Sequence, residues 1–174
     1  GRLYPYTKIL PKPLIPIGDI TITERIIDTF KRYGCKEVYM IWNYKANMIK
    51  AYMNELEKDY ILNYIDEEKF YGTGGGLRLL KGKLNRTFML SNCDTLLDAD
   101  YECAYLTHKK KGNSMTFICA MKDMVIPYGV LETNEDGRII AMKEKPDYSY
   151  LINTGVYVIE PEAIDYINED ESTT

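Results

Sequence analysis

Between Thr21 and Ile65 two stretches of helical period alternate with two short apolar runs, an order that constrains the fold more than any other feature of the chain. Thr21-Ile22-Thr23-Glu24 reads as a capping box, the threonine oxygen serving the third helical amide and the glutamate reaching back. Ile22, Ile26, Ile27 and Phe30 then share one apolar face, and Gly34 is suited to end the helix. Glu37 to Trp42 reads as a short buried strand. Met48, Ile49, Tyr52, Met53 and Leu56 return to helical spacing, with Asn47 as the cap, and Tyr60 to Ile65 reads as a second strand. Strand–helix–strand alternation predicts an α/β domain with helices against the faces of a sheet.

The rest of the chain extends that pattern. Gly72-Thr73-Gly74-Gly75-Gly76 leads into a short helix through Leu77 and Leu80, and Thr87 to Ser91 is a strand that runs into Asn92-Cys93-Asp94. A helix from about Asp100 to Lys111 and a strand from Ser114 to Ala120 follow. Tyr128 to Thr133 and Arg138 to Lys143 flank the turn cluster Asn134-Glu135-Asp136-Gly137 and predict a hairpin. Thr154 to Ile159 is the last strand, and Pro161 opens a final helix. The expected architecture is a three-layer α/β domain with a mixed, mostly parallel sheet and a β-hairpin elaboration. Ligands of such sheets sit beyond the carboxyl ends of the strands, which directs attention to the residues just past each one.

Composition removes whole classes of function. No apolar run approaches the roughly 20 residues needed to span a bilayer, and Gly1-Arg2-Leu3-Tyr4-Pro5 has no signal-peptide core. The net charge of −4 disfavours nucleic acid and leaves room for a small anion held by local cations. Cys35, Cys93, Cys103 and Cys119 are scattered without metal or redox spacing, which points to the cytoplasm. His108 is the only histidine, so a histidine triad or histidine metal site is not expected. Within Thr107-His108-Lys109-Lys110-Lys111 it reads as part of a solvated last helical turn.

Several residues are candidates for chemistry. The glycine cluster has neither P-loop nor dinucleotide-fingerprint spacing, but it lets backbone approach a flat ligand. Asp94, at a strand's carboxyl end, suits a hard cation such as Mg²⁺, which takes one or two carboxylates together with phosphate oxygens. Asp98-Ala99-Asp100 has the D-x-D form of metal-dependent glycosyltransferases, but by composition a helix N-cap with a first-turn acid is the better reading of both aspartates. Lys12 stands between Pro11 and Pro13, so its backbone is nearly fixed and its ammonium can be aimed.

Taken in order, these motifs resemble the sugar-1-phosphate nucleotidylyltransferases. Arg2-Leu3-Tyr4-Pro5-Tyr6-Thr7 and Pro11-Lys12-Pro13-Leu14-Ile15-Pro16 are similar to that family's R-L-x-P-x-T…P-K-P-L-x-P signature. Tyr71 to Leu77, Asn92-Cys93-Asp94, Tyr128-Gly129-Val130, Glu144-Lys145-Pro146 and Asn153-Thr154-Gly155-Val156-Tyr157 continue the match, nearest to the mannose- and hexosamine-phosphate guanylyltransferases.

The resemblance implies a Rossmann-like nucleotidyltransferase fold and a transfer from a nucleoside triphosphate, GTP favoured, to a sugar 1-phosphate. Arg2 would hold the β- and γ-phosphates, Lys12 the α-phosphate, and Asp94 a Mg²⁺. Gly72, Thr73 and Asn92 would border the nucleotide. Tyr128, Gly129, Glu144, Lys145 and Asn153 would receive the sugar phosphate. It further implies that 1–174 is a single domain short of the family's first strand and second metal-binding aspartate, and that the protein forms a homo-oligomer. A glycosyltransferase using Asp98 and Asp100, or a regulatory subunit without turnover, are the alternatives.

Overall fold

The computed structural model describes residues 9–42, 46–67 and 74–167. A one-turn 3₁₀ segment, Lys12–Leu14, leads into the two-residue strands β1 (Pro16–Ile17) and β2 (Ile20–Thr21) and then into helix α1 (Ile22–Arg32). The capping box forms as expected: Thr21 Oγ1 accepts from the Glu24 amide, and the Thr21 amide donates to Glu24 Oε2 at 2.9 Å. Strand β3 (Glu37–Trp42), helix α2 (Ala46–Glu55) and strand β4 (Ile61–Asp66) complete the first half. Helix α2 already includes Asn47, which therefore lies in the first turn and is not the cap.

Strands β3 and β4 pair in parallel, with Val38 opposite Leu62, Met40 opposite Tyr64 and Ile41 opposite Ile65. Because side chains alternate along a strand, this register separates two cores. Val38, Met40 and Trp42 pack with Leu14, Ile27, Ile49 and Met53 beneath α1 and α2. Tyr39 and Ile41 face the other way, towards Leu77 and Leu80 of the 3₁₀ turn Gly75–Leu80 and Ile164 of the 3₁₀ turn Pro161–Tyr166. Helical layers thus cover both faces, as the alternation requires.

The second half departs from the expected sheet. Strand β5 (Phe88–Ser91) and the long strand β6 (Met115–Val125), which follows helix α3 (Tyr101–Lys111), both pair antiparallel with β9 (Asp147–Ile159). The hairpin strands β7 (Val130–Thr133) and β8 (Ile139–Lys143) are antiparallel as expected. Among the described residues β3·β4 is the one parallel ladder and the four others are antiparallel, so the pairing is not mostly parallel. The cause is β9, which begins seven residues before the expected Thr154. Its outer part, Asp147 to Asn153, pairs with the outer part of β6 as a long arm exposed on both faces. Lacking one-sided burial, that arm carries no clean apolar alternation for sequence patterning to detect.

Another correction concerns α3. His108 is fully buried (0% exposed), not solvated. Its Nδ1 lies 2.8 Å from Thr116 Oγ1 and its Nε2 lies 3.3 Å from Glu160 Oε1. Lys109 Nζ donates to Glu160 Oε1 at 2.7 Å and to Thr87 Oγ1 at 3.0 Å, and Thr87 Oγ1 donates to Glu160 Oε2 at 2.8 Å. The lysine run conceals the inward face of the helix, where Tyr101 and His108 stand seven residues, or two turns, apart.

Between β3 and β5 lies a cleft of about 2240 Å³. Among the described residues β3 pairs with β4 alone and β5 with β9 alone, while Glu37 to Trp42 and Thr87 to Ser91 line the cleft from either side. Its apolar lining includes Leu10, Val38, Met40, Trp42, Phe88 and Leu90. The volume exceeds the roughly 300–1,000 Å³ of an ordinary ligand pocket. Trp42, the only tryptophan, buries an indole N–H that has no hydrogen-bond partner among the described residues.

Candidate active site

The two charged candidates beside the cleft are brought together by separate pieces of local structure. The segment Pro11 to Ile15 is held from below: Pro13, Leu14 and Ile15 are buried, and buried Thr23 donates to the Pro13 carbonyl at 2.8 Å. Pro11 fixes the entry to the 3₁₀ turn, whose Leu14 amide returns to the Pro11 carbonyl at 2.9 Å. With its neighbours anchored, Lys12 is the residue of this turn that points outward. Its Nζ donates to Asp94 Oδ2 at 3.0 Å across 82 residues of sequence. Their side chains are 55% and 33% exposed, so the pair faces solvent at the cleft. The hydrogen bond from Lys12 to Asp94, and then the carboxylate's charge, hold the ammonium above its ordinary 10.5.

Asp94 gains its place from β5. The strand ends at Ser91, and the Asn92 amide donates to the Gly155 carbonyl at 3.0 Å, which ties the exit of β5 to an irregular part of β9. There the β6·β9 register shifts: Ile118 faces Val156, whereas Cys119 faces Asn153, leaving Thr154 and Gly155 looped out. Thr154 Oγ1 donates to the Ile118 carbonyl at 2.5 Å. Asn153 Oδ1 accepts from the Gly155 amide at 3.0 Å, and its Nδ2 donates to the Tyr157 hydroxyl at 2.8 Å.

A further group gathers where the hairpin joins the arm. The Lys145 amide donates to the Tyr128 carbonyl at 3.3 Å and the Ile126 amide to the Pro146 carbonyl at 3.1 Å. A Cβ on Gly129 would stand 3.2 Å from Glu144 Oε2, so the glycine permits the carboxylate to lie against the backbone. Lys145 has φ 45° and is the non-glycine residue in the left-handed region among those described. Residues held in that conformation concentrate at functional sites. Tyr128 is 73% exposed.

The expected site residues therefore fall into three placements. Lys12, Asn92 and Asp94 border one cleft. Tyr128, Gly129, Glu144 and Lys145 form a second cluster, and Asn153 sits in the β9 irregularity; none of these five lines that cleft. Arg2, Gly72 and Thr73 lie outside the described residues. Asp100 is spoken for: its side chain caps α3 by accepting from the Cys103 amide at 2.9 Å. Gly155, which the sequence presents only as a member of the Asn153-Thr154-Gly155-Val156-Tyr157 motif, links to Asn92 and joins elements more than 60 positions apart.

The family model "Nucleotidyl transferase" matches residues 1–174. The chain belongs to the nucleotidyl transferase family. It is 30% identical over 185 aligned residues to a UTP–glucose-1-phosphate uridylyltransferase of Synechocystis sp., covering 95% of this chain and 48% of that protein. It is 33% identical to a D-glycero-alpha-D-manno-heptose 1-phosphate guanylyltransferase of Campylobacter jejuni, covering 91% of this chain and 70% of that one. The crystal structure of HddC from Yersinia pseudotuberculosis shares the fold, with a TM-score of 0.68 at 21% identity over 92% of this chain and 72% of its own. The chain thus spans about half the length of the cyanobacterial relative.

As to metal, the described residues contain no cluster of three or more His, Cys, Asp or Glu side chains able to enclose an ion. Asp94 offers carboxylate oxygen at an exposed strand end beside a lysine. That donor set fits a Mg²⁺ whose other ligands are water and phosphate oxygens, and does not fit a closed all-protein cage.

Proposed function

We propose that this chain carries the core of an enzyme that transfers a nucleotidyl group from a nucleoside triphosphate to a sugar 1-phosphate, releasing pyrophosphate. The observation that carries the reading is the 3.0 Å approach of Lys12 to Asp94, a cation and a hard oxygen donor at one spot beside the cleft. A phosphate oxygen of the sugar 1-phosphate attacks the α-phosphorus. The new P–O bond forms as the bond to the bridging oxygen breaks, and the electron pair leaves with pyrophosphate. Such a displacement needs aligned reactants and neutralised charge more than acid–base groups. Lys12 turns from Asp94 to the α-phosphate, and Asp94 would hold a Mg²⁺, which when bound would neutralise triphosphate charge. Asn92 borders the nucleotide with Gly72 and Thr73, and Arg2 takes the β- and γ-phosphates. Glu144 bonds sugar hydroxyls and Lys145 the sugar phosphate, with Tyr128, Gly129 and Asn153 completing that side.

GTP is the proposed nucleotide, supported by the guanylyltransferase named among the relatives and opposed by the uridylyltransferase. The proposed setting is the cytoplasm and the proposed assembly a homo-oligomer; no described helix is long and apolar enough to cross a membrane. The glycosyltransferase alternative loses support because Asp100 is occupied as a cap.

We further propose that residues 1–174 belong to a single domain.

A pyrophosphate-release screen of the protein from its full reading frame, using four triphosphates against several hexose 1-phosphates, tests the reading. Turnover fastest with GTP supports it, equal rates with every base defeat the guanine assignment, and silence with every pair defeats the reaction.

A further inference from the structure

Gly155 touches both proposed half-sites at once. Its carbonyl accepts from the Asn92 amide at 3.0 Å, two residues before Asp94, and its amide donates to Asn153 Oδ1 at 3.0 Å. Its φ of +78° lies in the left-handed region, and a Cβ built on it would collide with the Asn92 side-chain amide. Gly155 sits where β9 loops out two residues against β6, and Thr154 fastens that loop to the Ile118 carbonyl. The end of β5 and the start of the outer arm are thus registered through a residue that bears no side chain.

We propose that Gly155 is a positioning residue: it sets the nucleotide-side Asn92 and the sugar-side Asn153 in one fixed relation. This rests on the site reading above. Any side chain at 155 meets the Asn92 side-chain amide and displaces it from its place at the exit of β5, two residues before Asp94. Because the same residue holds Asn153 through its amide, the disturbance reaches both substrates.

Gly137 is the matched control. Its φ of +77° is nearly the same, but a Cβ there meets nothing within 4 Å. Gly155→Ala and Gly137→Ala therefore share the backbone strain and differ in the collision. The experiment compares these two variants, Asn92→Ala and the Asn92→Ala/Gly155→Ala double variant in the full-length protein. It reads thermal midpoints, calorimetric binding of Mg²⁺–GTP and of a hexose 1-phosphate, and kcat/KM.

Gly137→Ala should lower the midpoint by a few degrees and leave binding and kcat/KM within about twofold. Gly155→Ala should lower the midpoint further and weaken both ligands, with kcat/KM down at least ~10-fold, as misplacement of reacting groups produces. In the Asn92→Ala background the extra loss of midpoint should vanish, the non-additivity expected of touching residues. Should Gly155→Ala fail to fold, recovery of folding in the double variant is the same result. Equal behaviour of the two glycine variants, additive midpoints, or a double variant no better folded than Gly155→Ala would overturn the proposal. So would weakening of one ligand alone. The midpoint cycle needs no turnover, so absence of activity in the unaltered protein would count against the proposed reaction and leave the Asn92–Gly155 contact to be decided by the cycle.

Discussion

Strand β5 is four residues long and its two ends are built for opposite purposes. At the amino end, Thr87 joins Glu160, Lys109 and fully buried His108 in a closed set of hydrogen bonds that ties β5, α3, β6 and the exit of β9 together. At the carboxyl end, Lys12 and Asp94 make one solvent-facing ion pair. A network around a fully buried ring is costly to break, because the His108 nitrogens have no water to replace a lost partner. An exposed pair contributes only about 0–1 kcal/mol, so a ligand can part it cheaply. The contrast separates the end that holds the fold from the end available for chemistry.

Substitutions at the two ends should therefore fail in different ways. The largest expected effect is on turnover: Lys12→Ala in the full-length protein should lower kcat by ~10²–10³, the usual loss for one preorganised charge at a reacting centre. Its thermal midpoint should stay near that of the unaltered protein. His108→Ala should do the reverse, costing about 2–3 kcal/mol through the cavity left by a fully buried ring and the loss of its bonds to Thr116 and Glu160. That corresponds to a midpoint lower by roughly 4–12 °C, with kcat at permissive temperature little changed. A variant that loses both properties equally would erase the distinction.

The amino end should also show a pH signature of smaller size. The hydrogen bond from Lys109 leads in holding the Glu160 carboxyl below its ordinary 4.5. A depressed carboxyl stabilises the folded state at pH above 4.5 and loses that contribution as pH falls through its lower folded value. Acid unfolding of the unaltered protein should therefore show a loss of midpoint below pH 4.5 that Lys109→Ala reduces. An identical acid limb in both proteins would remove Glu160 from the account. Lys110→Ala, on the exposed side of α3, should change stability by no more than about 0.5 kcal/mol and serves as the control that Lys109 cannot.

What the sequence revealed follows from which physics is local. The Thr21–Glu24 cap and the D-x-D acting as a helix cap depend on neighbours a few positions away, and both were legible. The outward aim of Lys12 was legible from its two prolines, but its partner was not, because Asp94 reaches it only through tertiary packing. The antiparallel course of β9, the burial of His108 and the Asn92–Gly155 contact likewise rest on pairings distant in sequence. The motif resemblance supplied the family where periodicity could not, and the match over residues 1–174 bears it out.

The most direct test of the central assignment is a Mg²⁺ titration of turnover for Lys12→Ala and Asp94→Asn at saturating nucleotide. Asp94→Asn weakens metal binding, so raising Mg²⁺ should restore part of its rate. Lys12→Ala removes an ammonium that a Mg²⁺ ion does not replace, and its rate should stay low at every concentration. Full recovery of Lys12→Ala at high Mg²⁺, or near-normal turnover of both variants without it, would contradict separate roles for the two residues at one site.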